Sequence, residues 1–372
     1  MKGTGPDWPR IYRKSQFGFW TILLIPFSAL YGLGVKLRLW AYRIKIFKKK
    51  ALPAFVLSIG NLTAGGTGKT PAVAMLAEWA LKSGHKVAIL SRGYGRQNRE
   101  NLLEVSDEKS IKARPEHAGD EPYLLARMLP GVPVVISKNR HMAGLYAKKK
   151  YGSDFFILDD GFQHIKLKRD FNAVLIDATL PFGNGHLLPW GPLRESVSSL
   201  GRADAFILTR YRGDGSESKI IDFLRTRFPA RPVFLSEHIP YKVIFPGSSK
   251  IHDPELLRGK NVIAFAGIAQ PGFFKETLKN LDAEIVCFKA FRDHYWFRSD
   301  EIDSLIREKE KYGADYILTT EKDMARILPL EAANFDIGYL SIKIKLLSGE
   351  EAFFKIIRDA IEKKGIIVDT DL

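Results

Sequence analysis

The sequence predicts an α/β protein: a P-loop-type, mostly parallel sheet flanked by helices, with a second, smaller α/β lobe and an N-terminal membrane-associating helix. Three observations carry this prediction. Apolar runs of strand length alternate with helix-length segments along most of the chain. One strand-to-helix junction is rich in glycine and runs into Lys-Thr. Near the N-terminus an uncharged stretch of helix length precedes a run of cations and aromatics.

The chain has 372 residues, 45% apolar and 27% charged, a globular composition long enough for more than one domain. Its single cysteine, Cys287, excludes an internal disulfide and zinc-ribbon spacing. The formal net charge is +15, but residues 1–50 hold eleven Lys/Arg against one acid, Asp7. The basicity is therefore mostly local to the N-terminus, which argues against nucleic acid as a partner.

Residues 1–50 read as a basic, apolar membrane-associating segment. "SQFGFWTILLIPFSALYGLGV" (15–35) carries no charge and approaches the length needed to cross a ~30 Å hydrocarbon core. Pro26 interrupts it, glycines dilute it, and cations flank both ends, so interfacial or partly inserted binding is expected before a full span. "KLRLWAYRIKIFKKK" (36–50) suits an anionic membrane surface, with its apolar side chains in the headgroup region.

The core is expected over residues 51–235, the smaller lobe over 236–345, and a last helix over 346–372 that could pack back on the core. "FVLSI" reads as the first strand and "PAVAMLAEWALKSG" as the helix after it; "KVAIL", "PVVIS", "DFFILD", "NAVLID" and "DAFILT" are further strands. In the smaller lobe "NVIAFAGIAQPGFF" is a strand–turn–helix unit, followed by "AEIVCFKAF" and "DYILTT".

The junction "GNLTAGGTGKTP" departs from G-x-x-x-x-G-K-[ST], because Thr63 stands where the first glycine should be. Its setting still suits phosphate: Gly65, Gly66 and Gly68 let backbone N–H groups converge, and the helix N-terminus favours an anion. Lys69 would reach the β- and γ-phosphates and the Thr70 hydroxyl would take Mg²⁺. "DFFILDDGFQH" ends a strand on Asp159 and Asp160, one of which can serve the Mg²⁺ shell. "TTEKD" has the wrong order for guanine recognition, and Ala64 stands where membrane-associated ATPases with a variant loop have lysine. Asp120 and Glu121 taken alone are helix-cap residues, and a lone His294 a structural one. The Gly/Pro-rich "PFGNGHLLPWGPLRES" (181–196) retains Arg194 and Glu195.

Together these clusters resemble the tetraacyldisaccharide 4'-kinases, which phosphorylate the lipid A precursor. The resemblance rests on "GNLTAGGTGKTP", "SRGYGR", "GDEP", "DDGFQH", "FGNGHLLPWGPLRES", "AGIAQPGFF", "FRDHYWF" and "TEKD", in that order over residues 55 to 325. Trp190 and Ser196 depart from the family pattern and bear on local loop shape. The resemblance implies ATP at Thr63, Ala64, Gly65, Gly66, Thr67, Gly68, Lys69 and Thr70, with Mg²⁺ near Thr70, Asp160 and Glu195. It implies Asp120 as base with His294 as its partner, and Asp159 and Arg194 in the catalytic pocket with Glu121 and His164 beside the substrate. With Asp120 in the core and His294 in the smaller lobe, catalysis would need the lobes to close. The implied acceptor is an acylated disaccharide lipid, met at the cytoplasmic face of the inner membrane. A membrane-recruited ATPase that controls a protein partner is the alternative.

Overall fold

The computed structural model describes residues 12, 19–94, 96, 100–330 and 336–365. Residues 1–11 and 13–18 of the N-terminal segment, Gly95 of "SRGYGR" and residues 366–372 lie outside them. In chain order the first elements are α1 (Phe19–Arg43), β1 (Phe55–Asn61), α2 (Lys69–Lys82), β2 (Val87–Ser91), β3 (Leu103–Ser106), α3 (Pro115–Ala118) and α4 (Asp120–Met128). There follow β4 (Val134–Ile136), α5 (Arg140–Tyr151), β5 (Phe155–Leu158), β6 (Phe171–Asp177), β7 (Ala205–Thr209), α6 (Ser218–Arg227) and β8 (Val233–Phe245). The last are β9 (Lys250–His252), β10 (Asn261–Ala266), α7 (Pro271–Asn280), β11 (Glu284–Ala290), α8 (Ser299–Tyr312), β12 (Tyr316–Thr320), α9 (Glu321–Ile327), β13 (Ile337–Leu346) and α10 (Glu350–Lys364).

The chain divides into two compact units that are not consecutive in sequence. The first holds Met1–Ser91, Asn139–Glu237 and Lys345–Leu372; the second holds Arg92–Lys138 and His238–Ile344. The expected core of 51–235 is corrected at this point, because an insertion carrying "GDEP" leaves it for the second unit.

In the first unit β8, β7, β6, β1, β5 and β2 lie side by side, all parallel. Every residue of β1 and of β6 is buried, as expected where helices cover both faces of a parallel sheet. One side packs Val174, Ile176, Phe206 and Leu208 against Phe162, Leu200 and Leu224. The C-terminal helix α10 packs on this unit: Phe354 stacks on Trp79 at 4.9 Å between ring centroids. Lys364 at its end bonds Asp170, whose Oδ2 also accepts the Val56 N–H at 2.9 Å.

In the second unit β11, β10, β12 and β13 run parallel. Alternation with period two divides two apolar clusters between the faces. Val262, Ala264 and Leu318 meet Phe274 and Leu278 of α7, while Ile263, Phe265 and Ile317 meet Ile302 and Leu305 of α8. The inserted segment adds the antiparallel pair β3–β4 and the short α3 and α4.

Pro26 does not interrupt α1, which runs through it for 25 residues. The helix has two dissimilar faces. One meets the first unit: Ser28 Oγ donates to the Leu187 carbonyl, Tyr31 Oη to the Arg194 carbonyl and Arg38 to the Gln163 carbonyl. A side chain at Gly32 would come within 2.7 Å of Leu187. The other face exposes Leu23, Phe27, Leu30, Leu33, Leu37 and Trp40. Thr21–Arg43 is long and apolar enough to cross a membrane by length and composition.

Candidate functional site

In the first unit, the glycine-rich turn between β1 and α2 has the backbone that phosphate binding needs. Gly65 and Gly68 have φ of 121° and 83°, the left-handed half of the map where glycine is at ease. Gly68 is the N-cap residue of α2, so the first helical N–H groups open toward the turn. Thr63 takes a different path from the glycine it replaces. It forms an antiparallel bridge with Leu193, next to an Ala64 N–H bond to the Pro192 carbonyl at 2.7 Å. The Gly/Pro-rich segment thus shapes the mouth of the loop, and Arg194 N–H closes the same ladder on the Leu62 carbonyl. Within that segment Trp190 stacks on His186 at 3.5 Å, and its carbonyl accepts from Asn184.

Two residues at the end of β7 brace the loop from behind. Thr209 Oγ1 donates to the Thr67 carbonyl at 3.0 Å, and Arg210 donates to the Gly66 carbonyl at 2.7 Å while bonding Asp177. These bonds hold the Gly66 and Thr67 carbonyls in place. Neither residue is marked by a motif; the only signal for them is position, at the C-terminal end of a strand beside the nucleotide turn.

Lys69 is buried, with Nζ 3.3 Å from Asn61 Oδ1 and 3.6 Å from Asp160 Oδ1. Arg194 grips both oxygens of Asp160, at 2.9 and 2.7 Å. Burial pushes the Asp160 carboxyl up, but Lys69 and Arg194 outweigh it and hold it below its ordinary value. Asp159 is buried and accepts from Ser91 Oγ at 2.9 Å. Glu195 is buried and bonds Arg202 through Oε2, while its Oε1 has no hydrogen-bond partner among the described residues. Thr70 lies in the first turn of α2, half-buried. His164 is pushed down to about 3 by burial and by Arg140, Arg169, Arg38 and Lys166, so it is a neutral ring among cations.

These residues fit a magnesium nucleotide. No group of three or more metal-ligating acids, histidines or cysteines occurs among the described residues. Mg²⁺ is ordinarily held by one or two carboxylates plus substrate phosphates and seldom by an all-protein cage. The unpartnered Glu195 oxygen and the ionised Asp160 supply the right donor chemistry.

In the second unit Asp120 begins α4, and Gly119 before it has φ 87° and ψ 150°. A Cβ at Gly119 would lie 2.7 Å from the Tyr94 carbonyl, so "SRGYGR" and "GDEP" meet where only glycine fits. Asp120 is nearly buried, and its Oδ2 accepts from His294 Nδ1 at 2.8 Å. The expectation that this pair needs two lobes to close is corrected, since both residues belong to the second unit. Oδ2 also accepts from Arg326 Nε at 3.1 Å and from Arg326 Nη2. Lys322 Nζ lies 3.9 Å from Asp120 and 3.2 Å from Glu121. Burial pushes the Asp120 carboxyl up, but His294, Lys322 and Arg326 together hold it well below the usual carboxylate range. Pairing with His294 therefore does not make it a stronger base. Lys322 and Arg326 were not assigned from sequence, although their i,i+4 spacing in "TEKDMAR" puts both on one helix face.

A family model described as LpxK, tetraacyldisaccharide-1-P 4'-kinase, matches residues 20–362. The chain is 42% identical over 309 residues to the tetraacyldisaccharide 4'-kinase of Pelobacter propionicus, covering 83% of this chain and 84% of that one. It is 41% identical over 342 residues to the enzyme of that name from Syntrophus aciditrophicus, covering 90% and 91%. The crystal structure of LpxK from Aquifex aeolicus in complex with ATP superposes with a TM-score of 0.73 at 35% identity, covering 92% of this chain and 99% of that one.

Proposed function

The chain belongs to the tetraacyldisaccharide 4'-kinase family, and from that premise we propose that its two clusters divide donor and acceptor chemistry between them. The protein is an ATP-dependent kinase of lipid A biosynthesis, phosphorylating the 4'-hydroxyl of a tetraacylated glucosamine disaccharide 1-phosphate. Residues 63–70 hold the ATP phosphates, with the loop N–H groups and Lys69 on the β- and γ-oxygens. Thr70, Asp160 and Glu195 would hold Mg²⁺, directly or through water, and the ion would supply positive charge to offset that of the phosphates. Arg194, now on Asp160, is suited to phosphoryl oxygens. Asp159 and His164 shape this pocket.

Asp120 orients the sugar hydroxyl and accepts its proton, with His294 sharing the charge and Glu121 beside the acceptor. The observation that carries this assignment is the 2.8 Å Asp120–His294 hydrogen bond. A depressed pKa is compatible with the role, because a loose phosphoryl-transfer transition state asks chiefly for positioning and charge stabilisation. Oδ1, which among the described residues accepts only a 3.0 Å bond from the Glu121 N–H, is the oxygen left for the hydroxyl.

The exposed apolar face of α1, followed by Lys45, Lys48, Lys49 and Lys50, supports interfacial binding to an anionic membrane. With ATP as donor, we place the enzyme at the cytoplasmic face of the inner membrane.

The test uses purified protein, Mg-ATP and the acylated disaccharide 1-phosphate. Wild type should form the 4'-phosphorylated lipid. Asp120→Ala should lose activity about 10²- to 10⁴-fold, as removal of a general base does, with ATP affinity unchanged. Equal loss of ATP binding and turnover would make Asp120 structural instead.

A further inference from the structure

Arg326 stands out among the buried charges of the second unit. Its side chain has no solvent exposure, and all three guanidinium nitrogens are used. Nη1 donates to Asp323 Oδ1 at 2.9 Å and to the Gly267 carbonyl at 3.1 Å. Nε and Nη2 donate to Asp120 Oδ2. Asp323 is itself fixed: its Oδ2 accepts the Gly267 N–H at 2.9 Å and the Thr320 hydroxyl at 2.7 Å. The guanidinium is therefore clamped on one side and turned toward Asp120 on the other.

We propose that Arg326 is a positioning residue for the phosphoryl acceptor site: it fixes the rotamer of Asp120 through Oδ2 and so leaves Oδ1 for the sugar hydroxyl. The proposal rests on the reading of Asp120 as the base. Its second consequence concerns His294. With Arg326 Nη2 3.3 Å from His294 Nδ1, that nitrogen can be either a donor to Asp120 or an acceptor from Arg326, not both. Because an ionised Oδ2 can only accept, the 2.8 Å contact requires Nδ1 to carry the proton and donate to that oxygen. By holding Oδ2 in place, Arg326 also holds the acceptor that sets the histidine tautomer.

Other charges near Asp120 do not duplicate this. Lys322 stands 3.9 Å away and pairs more closely with Glu121, and Asp293 lies 3.8 Å from the far nitrogen of His294. A lysine at 326 would keep the charge but lose the fork that bonds Asp120 and Asp323 at once.

The experiment measures kcat, KM for each substrate and the pH profile of kcat/KM for Arg326→Lys and Arg326→Ala in the full chain, beside Asp120→Ala. Arg326→Lys should lower kcat by about a hundredfold, the scale of a misplaced catalytic group, with ATP affinity within twofold of wild type. In Arg326→Ala the base loses its neighbouring cation, so its pKa rises and the acid limb of the profile moves to higher pH. Guanidinium ion added at non-denaturing concentration should restore part of the activity of Arg326→Ala and none of that of Asp120→Ala. If Arg326→Ala does not fold, Arg326→Lys carries the test through its split between kcat and ATP affinity. Wild-type kcat in folded Arg326→Lys, or a loss in Arg326→Ala with an unmoved acid limb and no guanidinium response, would overturn the proposal while inactive Asp120→Ala leaves the base assignment standing. An active Asp120→Ala would overturn both.

Discussion

Asp160, Arg210 and His294 share an uncommon backbone state, with φ of 52°, 57° and 58° in the left-handed region. Side chains other than glycine enter it at a cost of roughly 1–3 kcal/mol each and persist where their surroundings hold them. Here the holding groups are Lys69 and Arg194 for Asp160, Asp177 and the Gly66 carbonyl for Arg210, and Asp120 for His294. The strain turns each side chain into its cluster. For Asp160 this gives a prediction separate from the base chemistry. Asp160→Asn keeps the size and a partner for Arg194 but removes the charge that would face Mg²⁺. The Mg²⁺ concentration for half-maximal activity should rise by about tenfold or more, the loss seen when groups around a metal are neutralised. A magnesium titration at saturating ATP measures it, and an unchanged midpoint would exclude Asp160 from the shell.

At the scale of elements, α9 shows what sequence patterns reveal and what they hide. "TEKD" was visible as a motif, yet its order fits no base-recognition rule, and the helix is only seven residues long. What it does is inward: Thr320 caps it through the Asp323 N–H, and Lys322 and Arg326 point from it toward Asp120. Such roles stay hidden because they depend on α4, some two hundred residues earlier in the chain. Glu321 in the same helix is pushed up to about 7 by burial, with Arg127 opposing. Its carboxyl binds a proton more readily folded than unfolded. Stability from this group is therefore full below the ordinary glutamate range and is lost as pH rises through about 7. Glu321→Gln should raise the melting temperature at pH 8 and leave it little changed at pH 5. The upper bound on the gain is about 3 kcal/mol. Thermal scans at the two pH values check this, and an equal shift at both would assign the effect to packing.

Across the whole molecule, sequence periodicity found the strands because parallel strands covered on both faces are apolar throughout: β1, β2, β5, β6, β7, β10 and β12 all coincide with predicted runs. The phosphate turn was equally legible, since glycine and Lys-Thr are local signals. The division into units was not. A sequence is read consecutively, whereas Arg92–Lys138 packs with strands more than a hundred residues later. That long-range choice placed Asp120 beside His294, and no local pattern encodes it. The N-terminal helix adds a second lesson. Its composition signalled a membrane, but only the structure separates the face bonded to the 182–196 segment from the face left exposed.

That separation sharpens the membrane test. Deleting residues 1–47 would remove the exposed face and also the bonds from Ser28, Tyr31 and Arg38, so lost activity would have two explanations. Leu30→Glu with Leu37→Glu alters only the outer face, where these side chains are 66% and 55% exposed. Each lost leucine removes roughly 1.5–3 kcal/mol of apolar transfer when fully buried, so the double variant should bind anionic vesicles about a hundredfold less tightly. Its folding and ATP affinity should match wild type, because the inner face is untouched. Wild-type binding should itself weaken with salt, because the cations of residues 36–50 act over a Debye length of about 10 Å at 0.1 M. The residual, salt-resistant part measures the apolar contribution. Vesicle co-sedimentation across ionic strength separates the two terms. If the double variant still sediments like wild type at high salt, the membrane is held by a surface other than the outer face of α1.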